Sequence, residues 1–184
     1  MKRGTLTKEV VLNEAMTIVS NDGLEHLTYN GLARSLGVQP QSLYRYVANI
    51  TEVKTGVIGT YMHGLSQTMY QELLPYSGKE ALRQLANRFV AYTQTGIGFT
   101  DMVSGLVTYR EAPEVIDTVG EMHDLVTTLI ASVTSDESQV EANVHLYLNF
   151  VIGSLTYLTV RHADQDAIQQ EFEANVERIL SVMN

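Results

Sequence analysis

The sequence predicts an all-α protein with two parts, an N-terminal three-helix domain that contains a helix-turn-helix and a larger C-terminal helical domain. Apolar residues recur at helical spacing along nearly all of the 184 residues, and no stretch alternates as a strand would. Residues that favour helix caps and stops lie between the periodic segments. The chain has no cysteine, so neither a disulfide framework nor a thiolate metal site is expected.

Cap and turn residues define the first four helices, expected at about residues 7–21, 28–35, 39–46 and 49–74. Gly23 suits the end of the first helix. Thr28 is a good N-cap for the second helix, and Leu36-Gly37-Val38 forms a tight turn before the third. Asn49-Ile50-Thr51-Glu52 has the form of a capping box that opens the long fourth helix, and Pro75 ends that helix.

The C-terminal part is expected to continue with helices at about residues 77–95, 99–107 and 113–133. The glycine-rich segment 95–98 bends the chain before the short helix, and Pro113 suits the first turn of the next one. A long helix without charge follows between Glu141 and Arg161, with the segment 134–137 as its cap. Asp164 can cap the last helix, which is amphipathic. No linker separates the two parts, so we expect them to share the fourth helix.

Charge is distributed unevenly along the chain. The net charge of −9 argues against binding to DNA by the molecule as a whole. Residues 1–64, however, hold six bases and five acids, a net of +1, whereas residues 65–184 hold six bases and sixteen acids, a net of −10. The N-terminal part therefore tolerates phosphate, and the remainder would be repelled by it. Chance clustering of surface charge is the alternative interpretation.

Membrane and secreted proteins are disfavoured. The uncharged run contains several polar side chains, including Asn143, His145 and Asn149, which is too many for a simple membrane span. The N-terminus is basic, but no uninterrupted apolar region follows it, so no signal peptide is expected. These observations predict a cytoplasmic protein without a membrane partner.

Enzymes are also disfavoured, and no cofactor is expected. Gly96-Ile97-Gly98 lacks the third glycine and the preceding strand of a dinucleotide-binding fingerprint, and no Gly-x-Ser-x-Gly nucleophile elbow occurs. His63, His123, His145 and His162 lack the i,i+4 pairing of a helical metal site. A metal-sensing role for one of them is a lesser alternative to a buried or interfacial histidine.

Residues 27–47 carry the functional signal. The side chains expected to close a small core between two short helices are Leu32, Ala33, Leu36, Val38 and Leu43. A largely polar set without carboxylates is left facing outward: Gln39, Pro40, Gln41, Ser42, Tyr44 and Tyr46. Amides and hydroxyls suit base edges and phosphates in a major groove. Two helices packed for structure alone are the alternative, but such an exposed helix would normally carry Glu and Lys.

The segment from about Val10 to Ile58 resembles the DNA-binding domain of the TetR family of transcriptional regulators. The resemblance is carried by Gly23-Leu24, Leu32-Ala33, Leu36-Gly37-Val38 and Leu43-Tyr44-Arg45-Tyr46-Val47. It implies a helix-turn-helix DNA-binding domain in residues 1–50 and a helical ligand-binding and dimerisation domain in residues 51–184. It also implies a homodimeric repressor that a small-molecule inducer releases from a palindromic double-stranded DNA operator. An activator, a nucleoid-type binder, and a ligand carrier that no longer binds DNA are the alternatives.

The resemblance assigns DNA-contacting roles to individual residues. It places the segment 39–42 in the groove, Asn30 near a base, and Lys54 where it can compensate for a lysine that many members carry at position 50 or 51. Without that lysine, either the affinity would be lower or binding would depend more on Lys2 and Arg3. The full set implied for DNA binding is Thr28, Tyr29, Asn30, Gln39, Pro40, Gln41, Ser42, Tyr44, Tyr46 and Lys54.

Methionine and aromatic side chains predict a ligand cavity in the C-terminal domain, because such walls adapt to irregular apolar ligands. The same residues at helical spacing are also typical of plain core. Excess acid in this domain favours a cationic ligand. The candidate cavity residues are Tyr61, Met62, Leu65, Met69, Phe89, Tyr92, Phe99, Met102, Tyr109, Met122 and His123.

The last two helices are the candidates for dimerisation. The apolar surface of the uncharged helix extends too far round for a helix with one face in water, so a second subunit would cover the excess. Gly153 is expected to make a close packing contact that offsets its cost within a helix. A helix buried inside one subunit is the alternative. The candidate interface residues are Leu148, Ile152, Gly153, Leu155, Phe172, Val176 and Ile179.

Overall fold

The computed structural model of the protein describes residues 6–93, 96–160 and 165–183. Within these ranges it contains nine α-helices and no strand, which confirms the predicted all-α class. None of the helices described is long and apolar enough to cross a bilayer. Lys2, Arg3 and Asp164, to which the sequence assigned roles, lie outside the described residues. The helices are α1 (Lys8–Asp22), α2 (Tyr29–Ser35), α3 (Pro40–Leu43), α4 (Ile50–Leu73), α5 (Gly78–Thr93), α6 (Phe99–Thr108), α7 (Pro113–Ala131), α8 (Val140–Val160) and α9 (Gln165–Val182).

Side-chain caps explain why the N-terminal helices begin where they do. The Thr7 and Thr28 hydroxyls accept hydrogen bonds from backbone N–H groups three residues on, each at 3.1 Å. The Asn49 side chain accepts the N–H of Glu52 at 2.9 Å. The Glu52 carboxylate bonds back to the N–H of Ala48 at 2.6 Å, one residue before the position that a capping box uses. The predicted starts of α1, α2 and α4 are therefore confirmed.

Two local features differ from the sequence expectation. Helix α3 ends at Leu43 rather than near Tyr46, and the N–H groups of Tyr46 and Val47 both bond to the Leu43 carbonyl in a turn. Short 3₁₀ turns occupy Leu24–His26 and Glu137–Gln139, which the sequence left without a helix. Asp136 caps the second of these turns, which leads directly into α8.

The chain divides into two compact units. The first lies within residues 1–63 and 95–118, and the second within residues 64–94 and 119–184. Helix α4 thus contributes to both units, as expected, whereas α6 belongs to the unit that contains the helix-turn-helix. This division differs from the boundary predicted at residue 50, which remains a prediction for where the DNA-binding function ends.

Helix α6 is part of the packing of the first unit. A Cβ atom on Gly105 would collide with the Ile58 side chain and would lie 3.1 Å from Cδ2 of Leu24. The Asp101 carboxylate accepts the backbone N–H of Leu24 at 3.2 Å, at the start of the 3₁₀ turn between α1 and α2. Helix α6 therefore packs closely on α4 and on the connection that leads into the helix-turn-helix.

The second unit is held together around α5, α8 and α9. The fully buried Tyr147 of α8 donates its hydroxyl to the Leu82 carbonyl of α5 at 2.6 Å, and burial raises the pKa of this phenol. Phe150 and Phe172 stack between α8 and α9 with ring centroids 5.7 Å apart. Arg83 on α5 forms ion pairs with Glu80 and with Glu177 on α9. The buried aromatic contacts contribute most here, because exposed ion pairs stabilise little.

The turn between α2 and α3 requires a glycine. Gly37 has φ +66°, its N–H bonds to the Arg34 carbonyl at 3.1 Å, and the N–H of Val38 bonds to the Ala33 carbonyl at 3.0 Å. This pair of bonds is a Schellman motif, which ends a helix through one left-handed residue. Side chains strain that conformation, so the direction in which α3 leaves α2 depends on Gly37.

We predict opposite effects on stability from two Gly→Ala substitutions. Among the described residues, no atom lies within 4 Å of a Cβ built on Gly37 or on Gly120 of α7, so neither replacement meets a clash there. Gly37→Ala should lower the free energy of unfolding by about 1–2 kcal/mol because of its positive φ. Gly120→Ala should raise it by about 0.5–1 kcal/mol, since alanine is favoured inside a helix. Urea unfolding measures both, and a Gly37→Ala variant as stable as wild type would contradict the argument.

Candidate nucleic-acid interface

The segment that opens α3 presents polar side chains outward. Gln39 is extended, with φ −75° and ψ 143°, and Pro40 occupies the first helical position, where its fixed φ is favourable. Leu43 is fully buried and anchors the helix from within. On the opposite side, Gln39 and Gln41 are exposed, and Pro40 and Ser42 are half-buried. The four residues predicted to enter a groove therefore lie on one accessible segment.

Two tyrosines link α2 to the end of α3. The rings of Tyr29 and Tyr44 pack with centroids 5.0 Å apart, and Tyr29 donates its hydroxyl to the Val47 carbonyl at 3.1 Å. Burial, the neighbouring Tyr44 and then Glu52 raise the pKa of Tyr29. Tyr44 remains 64% exposed. The Tyr29 hydroxyl is already engaged as a hydrogen-bond donor, so Tyr29 orients Tyr44 by packing against its ring. The exposed Tyr44 hydroxyl is accessible to a ligand.

The start of α2 offers two more accessible polar groups. The Thr28 oxygen accepts the N–H of Gly31, which leaves the hydroxyl proton available to donate. Asn30 is exposed in the first turn of α2, and Tyr46 is half-buried. Thr28, Asn30 and the α3 residues all lie in the first unit, and their role at DNA stays a prediction.

Two cations lie near the start of α4. Lys8 of α1 forms an ion pair there, and Lys54 of α4 forms none with a described residue. Lys8 of α1 pairs with Glu52 at 2.6 Å. The N–H of Ala48 and then the Lys8 ammonium hold the pKa of the Glu52 carboxyl below its usual range. Lys54 is half-buried and has no ion pair with a described residue. Lys54 is therefore the cation at this helix start that can bind an added anion without breaking a bond.

Sequence reasoning assigned no DNA-contacting role to two further cations in this region. Arg34 and Arg45 are exposed, and neither pairs with another residue in the described part of the chain. A signal was available, because residues 27–51 contain no Asp or Glu. Unpaired guanidinium groups flanking amides and hydroxyls can bind a polyanion with readable edges, which describes a nucleic acid duplex.

The residues predicted to form a ligand cavity are distributed over both units. Tyr61, Met62, Phe99 and Met102 are buried in the first unit, which also holds the half-buried Tyr109. The second unit contains Leu65, Met69, Phe89, Tyr92, Met122 and His123. Most of these residues are at least partly buried, but the His123 side chain is 49% exposed, unlike a cavity wall. Burial raises the pKa of Tyr92. A cavity shared by the whole set stays a prediction.

A groove of about 420 Å³ lies between α5 and α9 of the second unit, at Arg83, Asn87, Gln170, Glu173, Ala174 and Glu177. It includes none of the predicted cavity residues. Sequence reasoning also missed Ser66 of α4, whose fully buried hydroxyl has no hydrogen-bond partner among the described residues. Helical spacing alone carries no signal for such a group.

The residues predicted for dimerisation fall into two sets. Leu155, Phe172 and Val176 are 3%, 3% and 0% exposed within one chain, so a partner could cover almost none of their surface. Ile152 is 44% exposed, Gly153 is exposed, and Leu148 and Ile179 are half-buried. No described atom lies within 4 Å of a Cβ built on Gly153. The close contact expected at Gly153 is therefore absent within the described part of the chain.

No family model matches the chain, and no curated protein matches it. Solved structures, however, share its fold. A protein of unknown function from Rhodococcus sp. RHA1 is similar with a TM-score of 0.81 and 13% identity, over 99% of this chain and 97% of that chain.

Two structures with assigned names are also similar. SCO7222, a TetR transcriptional regulator from Streptomyces coelicolor, has a TM-score of 0.75 and 13% identity, over 97% of each chain. BioQ from Mycobacterium smegmatis has a TM-score of 0.72 and 16% identity, over 97% of this chain and 98% of that chain. The similarity spans both units and the order of the helices. The chain therefore has the fold of the TetR-family transcriptional regulators.

Proposed function

We propose that this protein is a cytoplasmic, homodimeric DNA-binding regulator of transcription, most simply a repressor that a small-molecule inducer releases from a palindromic operator. One observation carries the proposal: α3 presents an accessible polar segment in a region without carboxylates, flanked by cations that form no ion pair with a described residue. The fold shared with named TetR-family regulators supports the same function.

The chemistry of each side chain suggests its role at the duplex. Gln39, Gln41 and Ser42 carry donors and acceptors that match base edges in the major groove. The hydroxyls of Thr28 and Tyr44 suit phosphate oxygens, as do the cations Arg34, Arg45 and Lys54. Tyr29 serves indirectly, because its hydroxyl is engaged with Val47. Binding should be steeply salt-dependent, since phosphate contacts release counterions.

We predict different effects from substitutions in these two groups. Tyr44→Ala should weaken binding about equally on all sequences, whereas Gln41→Ala or Ser42→Ala should cost about 1–3 kcal/mol and relax preference at particular bases. Tyr70→Ala, which removes an exposed tyrosine of α4 outside the interface, is the matched control. A binding-selection assay with the purified protein separates the outcomes.

Uniform behaviour of Tyr44→Ala, Gln41→Ala and Ser42→Ala would contradict this division of roles. Wild-type protein that selects no discrete palindrome at any salt concentration would favour a ligand carrier instead, and the DNA-binding proposal would then be wrong.

The outer face of α8 supports assembly with a second copy. Residues 142–160 contain no Asp, Glu, Lys or Arg. Leu146, Ile152 and Tyr157 are 42%, 44% and 53% exposed on this helix in the single chain. An uncharged helix that leaves large apolar side chains in water gains free energy when an identical face covers them. Dimerisation is also what DNA recognition requires, because two half-sites about 34–36 Å apart match two helices related by a two-fold axis.

We predict that Gly153→Arg yields monomers, since it adds bulk and charge to this face. Operator affinity should fall by about a hundredfold or more, as the second half-site contact is lost. Gly120→Arg is the control, because a Cβ on Gly120 of α7 also meets no atom of a described residue within 4 Å. Light scattering reports the mass of each variant. A Gly153→Arg protein that stays dimeric would remove this part of α8 from the interface.

Two contacts suggest how a ligand could alter the DNA-binding helices. Helix α4 runs without interruption from Ile50, beside α3, to Leu73. Helix α6 packs on Ile58 and bonds through Asp101 to Leu24. A ligand that shifts α4 or α6 would therefore act on the 3₁₀ turn that leads into α2. Ligand and DNA must then weaken each other equally, since coupling between binding sites is reciprocal.

We predict that substitutions at Met62 or Tyr92 spare operator affinity but alter the response to inducer. A thermal-shift screen supplies a ligand, and operator affinity is measured with and without it. Wild-type affinity should fall about tenfold or more at saturation, and Tyr92→Phe should change that factor. If a ligand binds tightly and operator affinity does not change, induction by this route is wrong, although DNA binding could stand.

A further inference from the structure

Asn30 is the one asparagine in the sequence that precedes a glycine. The backbone nitrogen of the following residue can attack an asparagine side-chain amide, and glycine obstructs that attack least. Asn30 is also exposed. We propose that Asn30 is a site of spontaneous deamidation and that this modification disables the DNA interface as the protein ages. The second part rests on the proposed function.

The reaction needs only water. The Gly31 amide nitrogen loses its proton to solvent and forms a bond to the Asn30 Cγ atom. Ammonia leaves with a proton from solvent, and a five-membered succinimide remains. Water then adds to one of its two carbonyl carbons, and the bond between that carbon and the ring nitrogen breaks. Opening at the side-chain carbonyl gives aspartate, and opening at the backbone carbonyl gives isoaspartate. The balance is asparagine plus water to aspartate plus ammonia, with no change of oxidation state.

The structure shows what restrains this reaction. Asn30 is the second residue of α2, and a helical backbone keeps the next amide nitrogen away from the side-chain carbonyl carbon. The attacking nitrogen is also occupied, because the Gly31 N–H donates to the Thr28 hydroxyl at 3.1 Å. Attack therefore requires the first turn of α2 to open. Helix ends open at the least cost in free energy, and α2 has only seven residues.

Thr28 thus controls how often the reactive geometry forms. A threonine N-cap contributes about 1 kcal/mol to its helix, which corresponds to a factor of about five in the open population. Loss of this cap should increase the deamidation rate by a similar factor. Asn49 provides an internal comparison, since it lies at the start of α4 but precedes the β-branched Ile50.

The products should affect DNA binding more than folding. A carboxylate at residue 30 lies near the positive end of the α2 dipole, which it stabilises. The same charge would be the first acid in residues 27–51 and would repel phosphate. Isoaspartate adds a backbone methylene to the first turn and displaces Thr28 from its cap. Aged protein should therefore remain folded and lose operator affinity.

The first experiment follows deamidation in the full chain by peptide mapping with mass spectrometry at mildly alkaline pH. Asn30 should convert to a mixture of aspartate and isoaspartate while Asn49 stays intact. Thr28→Ala should convert about five times faster. Protein unfolded in urea gives the unrestrained rate. The proposal is overturned if Asn30 stays intact in both wild type and Thr28→Ala while the urea-unfolded chain converts.

The second experiment compares fresh Asn30→Asp with fresh wild type, which carries the unmodified amide. Asn30→Asp should bind operator about tenfold or more weakly than fresh wild type, with an undiminished unfolding midpoint. Bound operator should also slow conversion of wild-type Asn30. Equal operator affinities would overturn the loss of function but not the modification site. Failure of fresh wild type to bind any DNA would instead overturn the proposed function, and the mapping result does not depend on that outcome.

Discussion

The direction in which α3 leaves α2 is the constraint on which the candidate interface depends. Gly37 adopts a positive φ, and the Schellman bonds around it end α2 and return the chain at once into α3. Ala33 and Leu43 then pack in a core with almost no exposed surface. Gln39, Gln41 and Tyr44 are accessible because those inward contacts fix the other side of the same short segment. A side chain at Gly37 would strain this arrangement without touching a functional group.

Local chemistry explains why much of the N-terminal unit could be predicted from the sequence. Three helices are capped through hydrogen bonds that span three residues, from Thr7, Thr28 and Asn49. The starts of α1, α2 and α4 can therefore be predicted from a few neighbouring residues. The outward-facing residues of α3 could also be predicted, because the inward-facing residues that they alternate with lie close by in the sequence. The early end of α3 did not follow, and neither did the bond from the Tyr29 hydroxyl of α2 to the Val47 carbonyl beyond it.

Non-local packing accounts for what the sequence could not supply. Nothing in α6 alone indicates that Gly105 meets Ile58 or that Asp101 bonds to Leu24, 77 residues away. Helical periodicity likewise reports that Phe172, Val176 and Leu155 are covered, but it does not say whether the same chain or a partner covers them. Here the same chain does. The sequence also could not distinguish a ligand cavity from a filled core, because apolar side chains recur at the same helical spacing in both.

The packing of α6 sets a condition on treating the helix-turn-helix as a portable module. A fragment ending at residue 50 would keep α1, α2 and α3 but would remove the Asp101 carboxylate that bonds to the Leu24 amide. It would also uncover the Leu24 side chain, which is 8% exposed in the chain. In a chimera, a foreign C-terminal domain would therefore have to bring a helix of matching shape and an acceptor at the position of Asp101. Exchange of the N-terminal helices between proteins of this fold is thus easiest when α4 and α6 are transferred with them.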